Sequence, residues 1–187
     1  MVRRSTWILL AVLGVLVVAY FAWQQYAPAE TDAPVATAET LWTVPAEQVD
    51  TVRVVGLDGS RVVLARRDPE VGWRLLSPVA GAGGAGMIEM GLASLASPAV
   101  DQRISDPGDL APFGLDPAAY RLTLILRDGT ARSADIGALD PTGSVFYVRL
   151  PGANDVLMVS RFALEDALGW LAETPLAEPA VGPTGTP

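Results

Sequence analysis

The side chains here that could carry out chemistry are carboxylates, hydroxyls and arginines, because the sequence holds no histidine and no cysteine. Without imidazole or thiol there is no usual general base near neutral pH, no Ser-His or Cys-His pairing and no ordinary zinc ligand set. All 13 basic residues are arginine, so no lysine is there to serve as an alternative base. Serine also lacks its context, since no G-x-S-x-G occurs. Paired acids remain: two carboxylates facing each other across a cleft can hydrolyse a glycosidic bond. The candidates are Asp106 with Asp109, and Glu165 with Asp166. The first two sit beside Pro107 and Gly108, where aspartate serves turns and helix caps. The second two are expected in the first turn of a helix, where negative charge suits the helix dipole. A structural role is the favoured reading for all four.

Gly81 to Gly86 (GAGGAG) matches G-x-G-x-x-G between a strand and a helix. A dinucleotide site needs those glycines at the first turn of a parallel βα unit, with an acidic residue closing the second strand. Here the preceding strand is the third of an expected antiparallel meander, and Asp101 opens its strand instead of closing it. A plain flexible loop is expected, with no cofactor. No D-x-[DN]-x-[DN]-G calcium loop is present, and no metal site is expected.

The elements that would position these residues are read from periodicity. Strands are expected at Val49–Gly56, Arg61–Arg67, Trp73–Val79, Val100–Ile104, Tyr120–Arg127, Thr130–Ile136, Val145–Leu150 and Val156–Ser160. Turn signals separate them, among them Asp58-Gly59, Asp128-Gly129 and Pro151-Gly152. Leu122, Leu124 and Leu126 fall on one face of their strand and Arg121, Thr123 and Arg127 on the other. Ile88, Leu92 and Leu95 mark one short helix, and Leu164, Leu168 and Leu171 mark a second over about Phe162–Glu173. One-sided alternation of this kind predicts an α+β fold, a mainly antiparallel, meander-rich sheet with two short helices packed on one face. Trp73, Phe113, Tyr120, Phe146, Tyr147 and Trp170 are expected in or beside the core.

The N-terminus carries a different signal. From Trp7 to Trp23 seventeen residues run without a charge, roughly 26 Å of helix, which flanking polar residues extend to bilayer thickness. Arg3 and Arg4 precede the run, Trp7 marks one interface, and Tyr20, Trp23 and Tyr26 mark the other. The positive-inside rule then puts the N-terminus in the cytoplasm and the rest outside, as a single-pass anchor of the cytoplasmic membrane. The run exceeds a signal peptide's usual apolar stretch, and Pro28 spoils the small-residue site Ala27-Pro28-Ala29, so an uncleaved anchor is favoured over cleavage. Residues 1–26 thus read as anchor, 27–47 as an Ala/Pro/Thr/Glu-rich flexible tether, 48–175 as an extracytoplasmic domain and 176–187 as a disordered tail. Trp42 stands out on the tether: it either packs back on the domain or meets something else. Beyond the anchor, 11 arginines face all 21 acidic residues, a field that repels phosphate backbones and argues against nucleic acid.

Gly72-Trp73-Arg74-Leu75-Leu76-Ser77-Pro78, then a short helix with Leu92 and Leu95, follow one another in order. Phe113-Gly114-Leu115-Asp116-Pro117, Asp128-Gly129, Ile136-Gly137 and Tyr147-Val148-Arg149 come after them. In order and spacing these segments resemble the bacterial family described as domain of unknown function 4340, over about residues 49–172. The glycine run departs from that pattern, where a polar turn into the helix is expected. The resemblance implies a single anchor helix and association with ABC-type export or gliding-like systems, and it carries over no catalytic residue.

Together these readings lead to a non-enzymatic, envelope-facing accessory subunit of an integral membrane protein complex. Two alternatives come from other classes. One is a subunit of a large energy-transducing or photosynthetic membrane complex that meets a basic soluble protein. The other is a carboxylate-based enzyme acting on envelope polysaccharide.

Overall fold

Alternation of apolar and polar residues builds the sheet, and the buried sides of its strands make the core. In the computed structural model, which describes residues 39–57 and 61–177, Val52 and Val54 of β1 (Val49–Gly56) are buried and Arg53 between them is exposed. The same rule runs through β2 (Val62–Asp68), β3 (Gly72–Ser77) and β6 (Tyr120–Leu126). It continues in β8 (Val145–Arg149) and β9 (Val156–Ser160). With the two-residue β4 (Gly81–Ala82), β5 (Val100–Ile104) and β7 (Ala131–Leu139) these form one nine-stranded sheet. Its order is β4-β3-β2-β1-β6-β7-β8-β9-β5, and every neighbouring pair is antiparallel. Two meanders, one before and one after the central β1–β6 pairing, supply eight of the nine places. The mainly antiparallel sheet with two helices expected from the sequence is present. The Asp58-Gly59 turn joining β1 to β2 lies outside the described residues.

β5 reaches the far edge only by a long crossover. Helix α1 (Ala85–Leu95) leaves β4 at one edge, crosses the apolar face, and delivers the chain to β5 at the other. Ile88, Leu92 and Leu95 of α1 are buried, as the spacing predicts. Helix α2 (Arg161–Gly169) follows β9 directly and buries Leu164 and Ala167. Both helices share one core with Trp73, Leu75, Leu122, Ile136 and Val148. They approach closely because Gly91 lacks a side chain: a Cβ there would lie 2.5 Å from the Trp170 ring. The return connection from β5 to β6 passes over the other face. There Phe113 meets Tyr147 edge-on, with ring centroids 5.0 Å apart. Tyr147 lies between the buried Phe146 and Val148, so its side chain points away from the helices.

Several boundaries differ from those read in the sequence. The tether expected over 27–47 is part of the fold from Glu39 onward. Leu41, Trp42 and Val44 are buried in the core. Trp42 Nε1 donates to the Leu95 carbonyl at 2.8 Å, and Val44 N–H donates to Ala96 O at 2.7 Å, so the segment caps the open carbonyl end of α1. Leu41 N–H donates to Pro98 O, and Val100 N–H to Glu39 O, which sets the segment beside the start of β5. Low local periodicity concealed this, because a capping segment carries no repeat.

The tail expected from 176 begins by pairing instead. Gly84 N–H donates to Pro175 O, Ala177 N–H to Ala82 O, and Leu176 bridges Gly83. The loop expected across Gly81–Gly86 is likewise ordered as β4 and the start of α1. A Cβ at Gly83 would lie 2.8 Å from Ile88 Cδ1, and one at Gly84 3.0 Å from Leu176 O. Close backbone packing is therefore what these glycines serve. β3 stops at Ser77 because Pro78 has no N–H for the ladder. α2 stops at Gly169, four residues short of the expected end. Residues 1–38, with Arg3, Arg4, Trp7, Tyr20, Trp23 and Tyr26, and residues 178–187 lie outside the described residues. Among the described residues no helix is long and apolar enough to cross a membrane.

The Gly91–Trp170 contact yields a direct test. Gly91→Ala should destabilise by about 1–3 kcal/mol, the cost of overpacking a filled core. Gly86→Ala, in the same helix with open space around it, should be neutral or stabilising by up to about 1 kcal/mol. Urea denaturation of both variants checks the pair; equal midpoints would mean the helices are free to move apart.

Candidate functional site

The four acids singled out in the sequence do not converge on one cleft. Asp106 is exposed with φ of 44°, a left-handed turn conformation that aspartate tolerates better than most residues. Asp109 Oδ1 accepts from Ala111 N–H at 3.0 Å, an Asx-type turn that leads into the 3-10 turn Ala111–Phe113. Glu165 accepts from Arg161 Nε at 2.7 Å, one helical turn away. Asp166 accepts from Ser94 Oγ at 3.2 Å and links the two helices. Glu165 and Asp166 are not in the first turn of α2 as expected, because the helix starts at Arg161, directly after β9. Among the described residues no group of three or more acidic side chains could hold a metal ion.

Two polar clusters that sequence reading missed are closed on themselves. Asp135 on β7 is 7 % exposed, takes Arg121 Nε at 2.7 Å, and has Arg149 Nη2 at 3.6 Å. Register explains the triad, since Arg121 and Arg149 stand opposite Asp135 on the two neighbouring strands. The Asp135 carboxylate raises the Arg121 guanidinium above its ordinary value, by hydrogen bonding first and by charge second. In the other cluster the Arg67 guanidinium lies 4.6 Å from the Trp73 ring centroid and donates to Glu89 at 2.9 Å. Trp73 Nε1 donates to the same Glu89 oxygen at 2.8 Å, and Arg67 also reaches Val49 O and Ala46 O. These groups tie β2, β3, α1 and the N-terminal segment together, and all three guanidinium nitrogens of Arg67 are engaged.

Open space lies elsewhere. A groove of about 520 Å³ runs between the end of β1, the 117–120 turn and the residues after α2. Its walls include Leu57, Pro117, Leu168 and Leu171, and its polar side chains are Arg61 and Tyr120. Arg61 Nη1 already donates to Leu171 O at 3.3 Å.

A second cleft, of about 220 Å³, lies between the helices. Met87 and Met90 of α1 form one wall, with Gly169 and Trp170 opposite, and Glu165, Asp166 and Glu173 stand along it. Across α2 a third hollow of about 310 Å³ is lined by Ser144, Arg161, Phe162 and again Glu165. The surface of α2 thus carries Phe162, Glu165, Asp166 and Gly169, spaced at i, i+3, i+4 and i+7, with a hollow walled by Met87, Met90 and Trp170 on one flank and a more polar one beside Phe162 on the other. Phe162 is 76 % exposed and Met90 62 %. Such a surface can bind another molecule by side-chain contact.

Comparison with known proteins returns no match: no family model, no curated protein and no solved structure is significantly similar to this chain.

Asp140 closes the β7–β8 turn, accepting from Thr142 Oγ1 and from the N–H groups of Thr142, Ser144 and Val145. The Thr142 hydroxyl, then the Val145 amide, hold its carboxyl at about 2, below the ordinary 3.8. Because the folded value is the lower one, this stabilisation is present above 3.8 and disappears as pH falls through about 2. Carbon-detected titration of the Asp140 carboxyl should show that low midpoint, and Asp140→Ala should flatten the acid limb of the stability curve over that window. Asp135→Asn should cost about 1–3 kcal/mol in thermal or urea unfolding, because it leaves two arginines without their shared anion. An unchanged midpoint would show the triad to be incidental.

Proposed function

We propose that this protein is a non-enzymatic, membrane-anchored accessory subunit whose domain faces outward from the cytoplasmic membrane and docks within a membrane protein assembly. The observation that carries this reading is the helix-side surface, where Phe162, Met87 and Met90 are exposed around two adjoining hollows. Isolated surface hydrophobics are common, but several on one side of the molecule, beside neighbouring hollows, mark a surface that meets another molecule. The engaged carboxylates support the same reading, since Asp109, Asp135, Asp140 and Glu165 each serve a turn, a cap or an ion pair. The uncharged run from Trp7 to Trp23, with Arg3 and Arg4 before it, supports the anchor and its orientation. An ABC-type export or gliding-like system is the class of assembly that the resemblance over residues 49–172 favours.

Tagged full-length protein, extracted from its native membranes in mild detergent, should bring down a stoichiometric integral membrane partner. Mass spectrometry should find residues 1–26 still attached. Replacing the anchor with a cleavable signal should release a folded domain that no longer sediments with membranes. Recovery of the chain alone, or with its N-terminus removed, would overturn the accessory-subunit reading.

A further inference from the structure

We infer that the cleft between α1 and α2 receives a basic, amphipathic helical segment of a protein partner. The inference rests on the accessory-subunit reading and names the chemistry that its docking surface recognises. Charge selects the sign of the occupant. Glu165, Asp166 and Glu173 stand along the cleft, and only Glu165 has an ion pair among the described residues, with Arg161. The facing helix brings Glu89, already paired with Arg67, and no base of its own. An acidic rim around an apolar floor calls for lysine or arginine flanking apolar side chains.

Shape selects the form of the occupant. From Phe162 to Gly169 the exposed stripe of α2 is about 10 Å long, two helical turns, with a hollow on either side. An occupant with apolar residues at i, i+3 or i+4 and i+7 can set them against Met87, Met90 and Trp170 in the cleft and against Phe162 beside it, as helices in grooves do. Gly169 leaves the floor open, since a Cβ there would meet nothing within 4 Å. Met87 and Met90 are unbranched and adapt to the side chains they receive.

Other occupants fit less well. A second copy in a two-fold contact would set the same three acids against each other. Residues 27–38 of this chain carry Glu30 and Asp32 and no base, so they repel the rim. An anionic lipid surface is repelled likewise.

The test uses the full-length protein in its native membranes, with Phe162→p-benzoylphenylalanine or Met90→p-benzoylphenylalanine as photocrosslinker and Ile125→p-benzoylphenylalanine on the opposite sheet face as control. Both cleft positions should crosslink to one peptide of another protein, rich in Lys or Arg and with apolar residues at helical spacing; the control should not. Asp166→Lys with Glu173→Lys should lower the yield roughly tenfold, about 1.4 kcal/mol of affinity. Gly169→Arg, entering open space, should do the same without depending on the acids' own contacts. Crosslinks to residues 1–38, to a second copy, to lipid or to an acidic or aperiodic segment would overturn the inference, as would yields no higher than the control's. If the detergent pull-down still returns a stoichiometric partner that the cleft positions never label, the accessory-subunit reading stands and this site assignment falls.

Discussion

Two helices of eleven and nine residues have to cover the apolar face of a nine-stranded sheet. They succeed because Gly91 lets the Trp170 ring lie against the backbone of α1, so the pair forms one continuous layer over the core. The cleft on the helix side of the molecule follows from that contact. The helices' outward residues are brought side by side, and the space between them becomes a cleft instead of two separate ridges. A bulkier residue at 91 would separate the helices, opening the core from above and dispersing the surface that the cleft presents.

Like any helix, α1 leaves its last carbonyls without a partner inside the helix. The segment 39–44 meets that need through Trp42 and Val44 while lying beside the first residues of β5. At the other edge the chain around residues 175–177 takes backbone groups of Ala82 and Gly84. Arg103 on β5 pairs with both Glu39 and Asp155, which holds the entering segment to the edge strand. Short or charged edge strands, each met by a terminal segment, leave little free ladder for strand-by-strand association.

How much of this was legible in the sequence depends on whether a residue acts through periodicity. The strands at Val49–Gly56, Val100–Ile104 and Val156–Ser160 were readable to the residue, because alternation and flanking turns mark them. The buried stripe of α1 was equally clear. Leu41, Trp42 and Val44 were not, since a segment that caps a helix end follows no repeat and its Pro- and Thr-rich surroundings resemble a linker. The glycine run misled for the opposite reason: its composition suggests looseness, yet Gly83 and Gly84 are there because backbone and Ile88 crowd them. Asp135 could be found only through register, which brings residues 121 and 149 beside it. The cleft was out of reach of pattern altogether. Its walls come from two helices seventy residues apart in sequence, and an exposed Phe162 is indistinguishable from a buried one until the helix is oriented.

The early start of the fold also fixes a length. Between Tyr26, at the end of the aromatic-flanked apolar stretch, and Glu39, the first described residue, lie residues 27–38. Twelve residues reach at most about 40 Å even when fully extended. If the stretch before them is held in the bilayer, the cleft is leashed to a shell of that depth. A partner confined to the same membrane then meets it at a high effective concentration, and contacts too weak to hold a freely diffusing protein suffice to keep the two together.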